Sequence, residues 1–278
     1  MSLPFSVGLL GLGIIGSRVA ENLRKAGYDV FVWSRSVRDM ANFLPTPRAV
    51  AEAARVVQIF VRNDEALVEA MADMSPALGA GHIIMNHATV SKGATLKAAE
   101  VCSASGAAYL DAPFTGSKMA AQNGKLVYYI GGDAAVLEEA RPILAVSSAQ
   151  ILPFGGIGDA TVLKIVTNLI SAVTVKALTE AAAITRGHGV PLEHLLAALQ
   201  GNANYSALIG MKLPAMIKGD FEPHFSLRNM LKDADFARGL AAEAGLETPA
   251  LDAAAAAMRR GVEAGEGDAD FSVIGKVV

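Results

Sequence analysis

The sequence of 278 residues holds one cysteine, Cys102, so no disulfide can form within the chain and a reducing compartment is expected. Charge is also sparse. Charged residues are 18% of the chain, 24 basic against 27 acidic, for a net charge of −3. With no run of lysine or arginine, the sequence argues against a nucleic-acid surface and against a polybasic membrane patch. The apolar start, residues 3–15, has no basic segment before it and is shorter than the roughly 18 residues a membrane span needs. It reads as neither a signal peptide nor an anchor. What the chain has in abundance is hydrophobicity, 52% of residues, which excludes wholesale disorder and allows a large core. A soluble, cytoplasmic protein is expected, long enough for two domains.

Up to about residue 154, short apolar runs alternate with helical patterns. Strands are expected at 5–10, 30–33, 56–61, 82–85, 108–110, 127–130 and 150–152, with helices such as 19–26, 65–74 and 94–103 between them. Such alternation means a parallel sheet with helices on both faces. After Gly158 the strands stop. Residues 159–187 form one proline-free apolar pattern, about 42 Å long if helical. Four further helices are expected at 192–200, 206–218, 226–244 and 251–264. Pro191 and Pro249 suit helix first turns, and the alanine run 253–257 is strongly helix-forming. No internal repeat is visible. The expected fold class is α/β. A doubly wound Rossmann-type domain over 1–157 precedes an all-helical substrate and oligomerisation domain over 158–278, which begins with a long interdomain helix.

Gly11-Leu12-Gly13-Ile14-Ile15-Gly16 fits G-x-G-x-x-G, after an apolar strand and at the start of a helix. The first glycine allows a tight turn, the second lets backbone approach a pyrophosphate, and the third permits close helix–strand packing. The helix N-terminus then attracts the phosphates. The next strand ends at Trp33, where an NAD site usually carries an acid for the ribose 2′-hydroxyl. This chain has Ser34, Arg35 and Ser36 instead. Serine does not repel a 2′-phosphate, and a guanidinium can grip one or stack on adenine. The pattern favours NADPH; Arg35 as a solvated surface charge would leave a site that accepts NAD.

Two further stretches carry chemistry. In the stretch from Phe154 to Ile170, Lys164 and Asn168 lie four apart and share a helix face among apolar residues, where polar groups are costly unless met by partners. On spacing alone a snorkelling lysine explains them equally well. In DAPFTGSK, a strand ends near Asp111, and Thr115-Gly116-Ser117 gives a small-residue loop whose backbone N–H groups suit a carboxylate, although taken alone a plain turn explains it better.

In combination these residues resemble the β-hydroxyacid dehydrogenase family, and most nearly its glyoxylate/succinic semialdehyde reductase branch. The resemblance runs in family order through GLGIIG, HATVS (87–91), DAPFTGSK, GGIGDATVLKIVTN, FSLRNMLKDADFA and DADFSVI. It implies Lys164 as the catalytic general acid and base, with Asn168 holding substrate one turn on. It implies Thr115, Gly116 and Ser117 as the carboxylate loop, Thr89 near the nicotinamide, and Lys232 against the cofactor. It also implies that Asp233 and an aromatic lid, Phe225, belong to the substrate pocket. Ser34-Arg35-Ser36 resembles the branch's NADP-type strand ending. The implied activity is NADPH-dependent reduction of a small aldehyde or keto acid bearing a carboxylate, in a homodimer or homotetramer formed through the helical domain. A free lysine, with a pKa of about 10.4, gives up its proton slowly at neutral pH, so burial on an apolar helix would assist.

The chain also departs from the family. Ala160 replaces a third glycine in the lysine motif, a methyl that would shift the helix start or narrow the approach to the nicotinamide. Phe114 stands where relatives usually carry valine and would shrink the substrate pocket. Residues 36–56 are fewer than the family norm, so a small strand or helix at that edge is expected to be missing. Rival readings are a 3-hydroxyisobutyrate-type dehydrogenase, an imine reductase, which generally has another residue at the lysine position, and an oligomeric dinucleotide-binding scaffold without turnover. No metal is expected: His82 and His87 tend to opposite faces of a strand, and His188 and His194 look like helix-end residues.

Overall fold

The computed structural model describes residues 6–276, so Phe5, the first residue of the first expected strand, lies outside it. Five short strands, β1 (Val7–Leu10), β2 (Val30–Trp33), β3 (Val56–Ile59), β4 (Ile83–Asn86) and β5 (Ala108–Asp111), form a parallel sheet in the order β2-β1-β3-β4-β5. Every residue of β1, β3 and β4 is buried, as befits parallel strands covered on both faces. On one face, α1 (Gly16–Lys25) contributes Val19 and Leu23 to the core. On the other, α2 (Pro47–Ala53), α3 (Asp64–Met74) and α4 (Lys92–Ala104) contribute Val50, Leu67, Met71 and Ala98.

Register determines what this sheet can present. Trp33, Leu10, Ile59, Asn86 and Asp111 are paired in succession across the five strands. The residues just beyond them, Gly11, Ser34, Phe60, His87 and Ala112, therefore share one edge, the carboxyl edge where open α/β sheets bind ligands.

The remaining strands do not extend this sheet. β6 (Phe114–Thr115), β7 (Leu126–Ile130) and β8 (Ser148–Pro153) make a separate three-stranded sheet, antiparallel between β6 and β7 and parallel between β7 and β8. The 127–130 and 150–152 strands thus exist but belong elsewhere. β6, with two residues, is too short to show any period. Short α5 (Lys118–Gln122) separates β6 from β7, and α6 (Ala134–Ala145) makes the crossover to β8. Between Trp33 and Pro47 there is only one isolated bridge, Val32 to Phe43, and α2 follows at once, started by the Thr46 cap.

Long α7 (Asp159–Gly187) comes next, then α8 (Leu192–Gln200), α9 (Ala207–Lys218), α10 (Leu227–Glu243) and α11 (Pro249–Gly261). The chain divides into two compact units between Lys164 and Ile165, within α7. In the second unit Ile165, Ala172 and Val175 of α7 are buried with Met230 and Ala234 of α10 and Leu251 and Met258 of α11. Ile170 and Ile184 stay exposed at 59% and 65%. By length and composition alone, α7 is long and apolar enough to cross a membrane.

Candidate active site

The glycine loop leaves β1 at Gly11, whose φ of +98° suits glycine, and a Cβ there would stand 2.2 Å from the Phe60 carbonyl oxygen. A Cβ at Gly16 would lie 2.0 Å from the Gly11 oxygen, so the start of α1 is pressed against the loop. At Gly13 a Cβ would meet nothing within 4 Å. That open side, at the N-terminus of a helix with no side-chain cap and no acid in its first turn, fits a pyrophosphate. Leu12 is buried beneath the loop while Ile14 is exposed and Ile15 half-buried. After β2, Ser34 Oγ donates to the Ser36 carbonyl at 2.6 Å, closing a tight turn that leaves Arg35 and Ser36 exposed. Thr89, half-buried, follows β4 on the same edge.

Thr115 pairs with Val127, and Gly116 turns the chain at a φ of +142°, where a Cβ would come within 2.8 Å of Leu126 Cδ2. Ser117 spends its hydroxyl capping α5, accepting from the Ala120 N–H at 3.2 Å. Phe114, half-buried, packs against the core of the first unit. Its ring lies 6.1 Å from Phe60 and 6.4 Å from Tyr128, in a cluster closed by His87 at 4.6 Å from Phe60 and 4.9 Å from Tyr128.

His87 is buried and its Nδ1 lies 2.7 Å from the Ala112 carbonyl oxygen, which can only accept, so Nδ1 carries the proton. Burial brings its pKa down to about 4, against the raising effect of that hydrogen bond. Because the unfolded imidazole, near 6.5, binds its proton first, this residue's contribution to stability falls as pH drops from 6.5 through 4. About 3 kcal/mol is expected over that window. Urea unfolding of the parent and of His87→Phe at pH 7 and pH 4.5 checks it; the variant should lose less.

In the helical unit, Asn168 Nδ2 donates to Asp233 Oδ2 at 2.6 Å and Lys232 Nζ donates to Asp233 Oδ1 at 2.7 Å. Asp233 is fully buried, and Lys232 Nζ sits 4.6 Å from the centre of the Phe236 ring. Phe225 immediately precedes Ser226, the cap of α10, and meets Phe271 edge-on at 6.4 Å. Three of the residues expected from the sequence, Asn168, Lys232 and Asp233, are thus joined directly. Lys164 lies one turn before Asn168 on the continuous α7. Ala160, in the first turn of α7, is fully buried, and the helix begins at Asp159. Among the described residues no group of three or more His, Cys, Asp or Glu side chains could hold a metal ion.

Two buried polar arrangements leave little trace in the sequence. Asp111, fully buried, caps α7, and Asp270 forms a buried ion pair with Lys212. The signal for the second is a single lysine in the apolar run ALIGMKLPAMI.

A glycine loop on the carboxyl edge of a parallel sheet, followed by a helical unit, defines a dinucleotide-binding oxidoreductase by class. Residues 6–156 match the NAD-binding domain of 6-phosphogluconate dehydrogenase, and residues 158–278 match the NAD-binding family of NADP-dependent 3-hydroxyisobutyrate dehydrogenase. The chain is 29% identical over 280 residues to glyoxylate/succinic semialdehyde reductase 1 of Arabidopsis thaliana, covering 96% of each. It is 29% identical over 254 residues to 2-hydroxy-3-oxopropionate reductase of Escherichia coli, covering 87% of this chain and 86% of that one. Its fold is similar to that of Mycobacterium tuberculosis 3-hydroxyisobutyrate dehydrogenase in a structure with L-serine, with a TM-score of 0.91, 23% identity and 99% coverage of both chains. The chain belongs to the β-hydroxyacid dehydrogenase family of NAD(P)-dependent oxidoreductases.

Proposed function

We propose that the chain is an NADPH-dependent reductase that converts a small carboxylate-bearing aldehyde or keto acid, of the glyoxylate or succinic semialdehyde type, to the hydroxy acid. The observation that carries this reading is the helix-borne pair Lys164 and Asn168, with the Asn168 amide held by buried Asp233. When bound, the reduced nicotinamide supplies the hydride. Lys164 holds at Nζ the proton that the growing oxyanion takes, and its neutral amine takes it back in the oxidative direction. Asn168 orients substrate beside it without adding charge. The Thr115–Ser117 loop binds the carboxylate through backbone N–H groups, which turns away neutral aldehydes. Thr89 and Lys232 steady the cofactor, and Phe225 keeps water from the reacting carbonyl.

A panel of glyoxylate, succinic semialdehyde, tartronate semialdehyde and a cyclic imine with NADPH, and of 3-hydroxyisobutyrate with NADP+, followed by the cofactor's absorbance, tests the reading. Turnover of the first two with NADPH supports it. Turnover of 3-hydroxyisobutyrate alone, or of an imine alone, replaces it with a different dehydrogenase or an imine reductase, and no turnover with any substrate leaves a scaffold.

Arg35 is proposed to read the 2′-phosphate. Arg35→Asp should lower kcat/KM for NADPH by about 10–100-fold, the worth of one hydrogen bond between charged groups, and leave NADH nearly unaffected. An unchanged cofactor ratio would remove Arg35 from recognition. A second copy of the chain is proposed to cover the apolar α7 face, giving a cytoplasmic homodimer or homotetramer.

A further inference from the structure

Asp111 lies at the end of β5, buried, and its backbone is locked on both sides. Its N–H donates to the Gly131 oxygen at 2.9 Å and its carbonyl accepts from the Gly131 N–H at 2.7 Å. Its side chain crosses to the start of α7. Oδ2 accepts from the Gly158 N–H at 3.0 Å and the Thr161 N–H at 2.8 Å, and Oδ1 accepts from the Thr161 hydroxyl at 2.7 Å. Since Thr161 gives its own hydroxyl proton to Asp111, buried Thr95 donates to the Thr161 oxygen at 3.1 Å. The result is a directed chain, Thr95 to Thr161 to Asp111, that satisfies N–H groups the first turn of a helix leaves unpaired.

Burying a carboxylate is costly, and burial does push the Asp111 pKa up, against the lowering effect of its bonds to Thr161 and Gly158. A helix start can be capped far more cheaply by an exposed serine or threonine, as Thr46 and Ser206 do elsewhere in this chain. The placement of Asp111 in sequence suggests what the costlier cap achieves. Four residues after it comes Thr115, the first residue of the carboxylate loop. Three residues after its partner Thr161, on the same helix face, comes Lys164.

We infer that Asp111 is a positioning residue, with Thr161 its relay: it ties the carboxylate loop to the first turns of α7 and so sets where the Lys164 ammonium stands relative to the bound acid. This rests on the proposed role of Lys164. A misplacement of about 1 Å is enough to cost on the order of 10²-fold in rate.

The test is a double-mutant cycle against Lys164→Ala, with kcat on glyoxylate expressed per NADPH-binding site so that unfolded protein does not count. Asp111→Asn should lower kcat on the order of 10²-fold and Thr161→Val about 10-fold, with the Kd for NADPH unchanged and Thr161→Ser restoring activity. In the Lys164→Ala background neither substitution should lower kcat further, because the group they position is gone. If Asp111→Asn does not fold, the Thr161→Val and Thr161→Ser pair decides by the same criteria. Equal losses in both backgrounds would make the cap merely structural, and full activity in the single variants would leave it without a role; either overturns the inference. A loss below tenfold for Lys164→Ala itself would instead overturn the reading of Lys164, and this inference with it.

Discussion

Lys164→Ala should bind NADPH as tightly as the parent and turn over roughly 10²–10⁴-fold more slowly, the usual worth of a positioned general acid. The cofactor loop, Gly11 to Gly16, is built from β1 and α1, and substitution far along the chain at Lys164 leaves its glycine contacts intact. Reduction of a carbonyl places a full charge on oxygen unless a proton arrives, so removing the donor raises the barrier without changing what binds. Lys164→Arg should fare little better: it keeps the positive charge, but a guanidinium does not release its proton in a protein. An arginine variant close to parental activity would mean that charge alone suffices there and that no proton is transferred from this position.

The second large effect concerns stability. Lys212 Nζ lies 2.8 Å from both Asp270 oxygens, and each side chain is only 3% exposed. Asp270 also accepts from the N–H groups of His224 at 3.1 Å, Phe225 at 3.3 Å and Ser272 at 3.1 Å, and from the Ser272 hydroxyl at 2.7 Å. Lys212 lies 4.5 Å from the centre of the Phe271 ring. One carboxylate thus gathers α9, the segment carrying Phe225, and the helical turn Phe271–Lys276. Lys212→Met should cost about 3–5 kcal/mol in urea unfolding, because it leaves Asp270 buried without its cation. Adding Asp270→Asn should recover part of that loss, since the orphaned charge is then removed. Although burial opposes ionisation of Asp270, Lys212 and Ser272 outweigh it and hold the pKa below the ordinary 3.8. The stabilisation is therefore present above that value and is lost as pH falls through and below it. A Lys212→Met protein as stable as the parent at pH 7 would show that the pair contributes nothing.

Long periodic segments were the legible part of the fold. The bounds of α7 and α8 match the apolar patterns at 159–187 and 192–200, and β2 matches 30–33. Over such lengths local propensity and burial agree. β6 leaves no such trace, because its two residues take their structure from pairing with β7. Within the candidate site, the glycine loop could be read because steric demands leave a sequence trace: Gly11 and Gly16 face backbone oxygens that no Cβ could tolerate. Asn168 and Lys232 were identifiable by motif, yet their meeting at Asp233 joins positions 65 apart at its Asn168 end, which no local pattern encodes. Asp111 is the same case. Its partners Gly158 and Thr161 lie 47 and 50 residues away, and a lone aspartate at a strand end gives no hint that it caps a distant helix.

Single-turnover oxidation of enzyme-bound NADPH by glyoxylate, in the parent and in Lys164→Ala, isolates the chemical step from binding and product release. A hydride-transfer rate at least about 10²-fold slower in the variant, with the fraction of NADPH bound unchanged, is the predicted result. Equal rates in the two proteins would contradict the assignment of the proton to Lys164.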